Sequence, residues 1–174
     1  MDLKVELYQN HSRSQMLRIK AWVGDDQDRF DELTTLVLGQ DPILSQRGSW
    51  AFSYCAEEHP ELIKRWMNKL LKRIKHPAHD GIVRGILRAW KTVELPEKMH
   101  GEIVDECFRL LKDRNQAVAI RSFAMLVLGR LCNVYPELWI ELKLIINEGL
   151  AYEKPAFIST GKQLLKKHIK LKVP

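Results

Sequence analysis

The chain has 174 residues, 45% of them hydrophobic and 29% charged, the composition of one globular domain rather than of a disordered segment. No apolar run approaches the roughly 18 residues of a membrane-spanning helix, and the longest candidate, Ser122 to Leu131, is broken by Gly129 and Arg130. The net charge of +6 is uneven, with residues 1–60 at −4, 61–100 at +6, 101–151 at −1 and 152–174 at +5, a pattern that suits either an anionic partner or two solvated basic helices.

In chain order, the start Met1-Asp2-Leu3-Lys4-Val5-Glu6 has an early acid and no apolar signal core, so a cytoplasmic location is expected. Val5 to Tyr8 reads as a short helix in preference to an extended segment, and a leading helix follows over about Ser12–Val23. Four helical pairs come next: Asp28–Leu38 with Ile43–Glu58, Pro60–Lys75 with His79–Thr92, Pro96–Lys112 with Ala117–Val134, and Pro136–Leu150 with Pro155–Lys170. Turn chemistry separates the partners at Gly39-Gln40-Asp41-Pro42, His76-Pro77-Ala78, Asp113-Arg114-Asn115 and Glu153-Lys154-Pro155. In the basic helix Pro60–Lys75, apolar residues at Leu62, Ile63, Trp66, Met67, Leu70, Leu71 and Ile74 share one face. Lys64, Arg65, Lys69, Lys72 and Arg73 hold the other. Ile103, Val104, Cys107, Leu110 and Leu111 form the buried stripe of the next such helix. After Tyr8 no stretch sustains the period-two alternation of a strand.

The pairs repeat. Arg47-Gly48, Arg84-Gly85 and Arg121-Ser122 are each 37 residues apart, an arginine followed by a very small residue. Leu33, Leu70 and Cys107, and then Val37, Ile74 and Leu111, recur upstream in the same register. Pro60-Glu61, Pro96-Glu97 and Pro136-Glu137 mark helix starts, since proline is tolerated in the first turn and glutamate suits the positive end of the helix dipole. The small residues after the arginines predict close helix approach.

Asp41-Pro42 leading to Arg47, and Asn115 leading to Arg121, resemble the second-helix signature of the HEAT-repeat, or ARM-type, α-solenoids over about residues 25–170. Ala78 breaks the pattern in the second repeat, and Gly161-Lys162 departs from it in the fourth. The resemblance implies an all-α fold, a right-handed superhelix of about four hairpins plus an N-terminal helix, forming a single domain over residues 1–174. It implies that first helices line a convex side and second helices a concave one. Arg47, Arg84 and Arg121 would then form a ladder that either binds a ligand or braces neighbouring repeats. The resemblance implies a protein-interaction scaffold that uses its concave face.

No catalytic constellation is present in the sequence: no Gly-rich phosphate loop, GxSxG elbow, HExxH or pair of CxxC. His76, His79 and Asp80 span a proline turn with no second cluster. The acidic run Asp25, Asp26, Asp28, Asp31 and Glu32 lacks the mid-loop glycine of a calcium site and reads as helix-start acids. Cys55, Cys107 and Cys132 read as small buried hydrophobes. No catalytic residue, metal or cofactor is therefore expected. The expected contacts are Arg84, Arg88 and Lys91, with Trp90, Arg121, Trp50 and Arg47 beside them. They favour an acidic protein or peptide. Aromatics next to arginines equally suit ordinary helix packing or a nucleic acid, and a HEAT-like family that acts on alkylated DNA is similar in architecture. That family's catalytic aspartate and tryptophan have no placed counterpart here, and the acidic first sixty residues fit a DNA groove poorly. Leu164, Leu165, Ile169 and Leu171 in the basic tail Lys162–Lys172 are expected to seal the end of the stack rather than to meet a membrane.

Overall fold

The computed structural model describes residues 1–170, with side chains through His168. The tail positions Ile169, Lys170, Leu171 and Lys172 therefore lie outside the described side chains. Among the described residues there are ten α-helices and no strand: α1 (Leu3–Gln9), α2 (Arg13–Val23), α3 (Gln27–Leu38), α4 (Pro42–Glu58), α5 (Met67–Lys75), α6 (Asp80–Trp90), α7 (His100–Lys112), α8 (Val118–Leu131), α9 (Leu138–Gly149) and α10 (Pro155–Lys170).

The helices begin by two different devices. Asp2, Ser12, Asp26 and Asp41 accept hydrogen bonds from first-turn amides of α1 to α4, and the His79 ring does the same for α6. The Pro-Glu pairs behave differently from the expectation. After Pro60 the chain makes a tight turn and a 3-10 turn, Lys64–Trp66, so α5 starts only at Met67. After Pro96 a 3-10 turn, Glu97–Met99, precedes α7, and α9 starts at Leu138. The physical reason at Pro60 is tertiary. Leu62 and Ile63 are both buried, and the Trp66 indole donates to Asp31 of α3 at 2.6 Å.

Two compact units cover Met1–Glu94 and Leu95–Pro174. In the first, α3 pairs with α4 and α5 with α6, and the hairpins stack α3 on α5 and α4 on α6. Helices α1 and α2 also pack on α4, so α4 is enclosed by four neighbours. Its sequence permits that enclosure: Ser45, Gly48, Ser49, Ala51, Ser53 and Ala56 are small and buried, and Phe52 stacks on Phe30 of α3. Where α4 meets α6, a Cβ on Gly85 would stand 2.9 Å from the Ser49 carbonyl oxygen. Glycine is required there by space. In the second unit, α7 pairs with α8 and α9 with α10, and α8 packs against both α9 and α10.

Arginines close the open carbonyl ends of several helices. Arg47 of α4 donates to the carbonyls of Leu7, Tyr8 and Asn10 at 3.0, 2.9 and 3.3 Å, ending α1. Arg29 donates to Trp22 at the end of α2 at 2.7 Å. Arg73 of α5 donates to Leu38, and to Gly39 at 3.2 Å, at the end of α3. Arg121 of α8 donates to Leu111 at the end of α7 at 2.9 Å. Its other nitrogens grip both Glu153 carboxylate oxygens at 2.9 and 2.8 Å. Arg121 is buried and Glu153 nearly so, with side chains 7% and 9% exposed. The Arg121 hydrogen bonds, ahead of its charge, hold the Glu153 carboxyl below its ordinary range.

Two outcomes follow from this packing. Gly85→Ala forces α4 and α6 apart and is expected to destabilise by about 1–2 kcal/mol, overpacking exceeding the helix-propensity gain. Gly101→Ala, where an added Cβ meets nothing within 4 Å, is the matched control. It is expected to be neutral or to stabilise by up to about 1 kcal/mol in thermal unfolding. Arg121→Leu strands a buried carboxylate and a helix-end carbonyl and is expected to cost about 3 kcal/mol, with Arg121→Leu/Glu153→Leu recovering most of it. Because the folded Glu153 is the more acidic form, its contribution is complete above the usual carboxylate range and is lost as pH falls below it. An acid-unfolding profile of the double variant should lack that component.

Candidate functional site

The outward ridge of α4 is set by helical steps of three and four: Arg47, Trp50, Tyr54 and Glu57. The neighbouring ridge of α6 carries Arg84 and Arg88, with Lys91 at its end. The close Gly85–Ser49 approach brings these ridges side by side into one surface. Arg88 lies over the Tyr54 ring, 3.8 Å from its centroid. Its Nε reaches both Glu57 oxygens at 3.3 Å, and its Nη2 reaches one at 3.0 Å. Lys91 Nζ takes the other side of the same carboxylate at 3.1 Å. Burial works against the Arg88 charge, but the hydrogen bonds and charge of Glu57, then Tyr54, outweigh it and raise its pKa. Two cations thus share one acid, while Arg84 is exposed one turn away.

The seven sequence-predicted contacts divide. Arg84, Arg88, Lys91, Trp50 and Arg47 are brought together on this face, although Arg47 spends its donors on the end of α1. Trp90 is not on it: the indole is completely buried, four residues beyond Ile86 on the inward stripe of α6. Arg121 is not surface either. It occupies the register of Arg84 but turns inward to Glu153 and the end of α7.

Three residues of the face escaped the sequence reading. Tyr54 and Glu57 continue the Trp50 ridge by four and three residues, a signal present in the sequence. His11 had no such signal. It lies in the turn between α1 and α2, and its ring meets Trp50 edge-on at 5.5 Å. Partial burial first, then the charges of Arg47 and Arg84, push its pKa below the ordinary histidine value.

A second basic surface lies on α5, where Lys69, Lys72, Arg73 and His76 line a shallow cleft of about 340 Å³ beside Leu38 and Gln40. These cations crowd the last turns of α5, where positive charge answers the helix dipole. Arg73 is committed to the end of α3, and Lys69 sits 4.7 Å from the Trp66 ring centroid. The upstream Arg65 and Lys64 pair with Asp31 and Glu94.

Among the described residues, no three of histidine, cysteine, aspartate and glutamate stand where they could hold a metal ion. Burial pushes the Cys55 thiol up to about 12 and Cys132 to about 11, and raises Cys107 as well, so none is a ready nucleophile. No described helix is long and apolar enough to cross a membrane. No curated protein and no solved structure matches the chain. A family model described as a HEAT repeat domain matches residues 3–168, nearly the whole chain, and the chain belongs to the HEAT repeat family.

Proposed function

We propose that the chain is a non-catalytic protein-interaction scaffold that holds an acidic segment of a partner along the α4–α6 face. HEAT repeats commonly mediate protein interactions, and this family is generally scaffold rather than enzyme. The observation that carries the reading is the mixture on the face. Arg84, Arg88 and Lys91 flank two partly exposed aromatics, Trp50 and Tyr54, with Glu57 as the shared counter-charge of Arg88 and Lys91. Tryptophan, tyrosine and arginine are the side chains that dominate binding energy at interfaces. The cations select and steer an acidic chain, while the aromatic area supplies affinity that salt does not remove. From Arg47 to Glu57 the ridge runs about 15 Å, room for about five residues of extended peptide.

The same aromatic and cationic types would stack and pair with single-stranded nucleic acid, so the test carries both probes. The measurement is fluorescence anisotropy with a labelled oligoglutamate peptide carrying one leucine, and with single- and double-stranded DNA and RNA, at about 50 and 200 mM salt. The expected outcome is peptide binding with modest salt dependence, weakened about tenfold or more by Arg84→Glu with Arg88→Glu. Absence of peptide binding, or nucleic-acid binding that falls by about three orders of magnitude between those salts, would overturn the reading.

A further inference from the structure

Resting on that reading, we infer that His11 is a further binding residue of the α4–α6 face, its imidazolium pairing with a carboxylate of the partner beside Arg84. The residue reaches the face through a chain of contacts that begins elsewhere. Arg47 donates to Leu7, Tyr8 and Asn10 and so holds the carbonyl end of α1 against α4. Ser12 caps α2 through the Gln15 amide at 3.2 Å, which ties down the other side of the turn. His11, between those anchors, is carried onto Trp50 and remains exposed.

The electrostatics around the ring fit an anion that has yet to arrive. Partial burial opposes protonation of His11 most, and the charges of Arg47 on α4 and Arg84 on α6 add to it. On its own turn the flanking Asn10 and Ser12 are neutral, and Arg13 opens α2. The Asp41 carboxylate of the neighbouring α4 start is engaged by the Tyr8 hydroxyl and by the Ile43 and Leu44 amides. Three potential cations therefore share the face beside Trp50, and partial burial first, then the charges of Arg47 and Arg84, hold the His11 pKa below its ordinary value. A carboxylate seated between His11 and Arg84 reverses the sign of the local field. It draws a proton onto His11, so binding takes up a proton and tightens as pH falls through the histidine range. Glutamate side chains on the probe stay largely ionised there, since their own titration lies lower.

The test uses the full chain and the oligoglutamate–leucine peptide, with anisotropy at about pH 7.5 and 5.5. The wild type should bind about five- to tenfold more tightly at the lower pH, close to the effect of one pKa unit. His11→Gln should match wild type near pH 7.5 and lose the gain. His11→Lys, charged throughout, should bind tightly at both. In parallel, the proton resonance of the His11 ring followed by NMR should titrate at higher pH with peptide than without. Peptide binding with the same pH response in wild type and His11→Gln would overturn the inference and leave the scaffold reading standing. Absence of peptide binding at both pH values would remove the scaffold reading itself.

Discussion

The structure depends on how it closes the carbonyl ends of its helices. A helix leaves its last four carbonyls without internal partners, and a repeat of short helices multiplies those ends. Here α1, α2, α3 and α7 each receive an arginine at that end: Arg47, Arg29, Arg73 and Arg121. The guanidinium suits the position because it offers several donors in a fixed fork and places positive charge at the negative pole of the dipole. Arg47 and Arg73 each come from another hairpin, so their hydrogen bonds end one helix and fasten a second element to it. Arg121 does both within the second unit, since the same side chain ends α7 and binds Glu153 beyond α9.

The other constraint is closeness. HEAT-type stacking demands that second helices lie flank to flank, and α4 meets it with small side chains on nearly every inward position. The Gly85–Ser49 contact shows the limit, with no room for a methyl group. Such packing gives up apolar area per residue but gains tight complementarity, which holds the outward ridges of α4 and α6 in fixed relation. The face is therefore built by the core beneath it. Arg88 can lie over Tyr54 and reach Glu57 because the two backbones are locked at that spacing.

The architecture was legible because it is written in local, repeating signals: helical periodicity, proline and Asx turns, and a 37-residue register of arginine followed by a small residue. What the register could not tell is what each arginine does. Arg47, Arg84 and Arg121 are equivalent in sequence, yet the first ends α1 from the outward ridge, the third is buried on Glu153, and Arg84 stays exposed. The difference lies in what each hairpin finds beside it, and that is tertiary. Trp90 shows the same limit: its step from Ile86 put it on the inward stripe, but aromatic type alone suggested a surface. His11 is the extreme case, because two anchors far apart in sequence bring it to Trp50. At Pro60 the opposite error arose, where buried Leu62 and Ile63 and the Trp66–Asp31 bond replaced an expected helix start by tighter turns.

Glu57 decides how the face could receive an anion. A cluster of bare cations would repel itself and lose order, whereas one shared carboxylate holds Arg88 and Lys91 in place. Arg88 turns Nε and Nη2 toward Glu57, which leaves the donors on its remaining nitrogen directed elsewhere. Lys91 meets the same carboxylate through a single ammonium that carries three donors. Under the proposed reading, side chains held this way would lose less conformational entropy when a partner binds. Among the described residues Arg84 forms no ion pair, and its charge acts on His11. Under the proposed reading, that asymmetry would seat an acidic group of the partner at the Trp50 end of the ridge, beside Arg84 and His11.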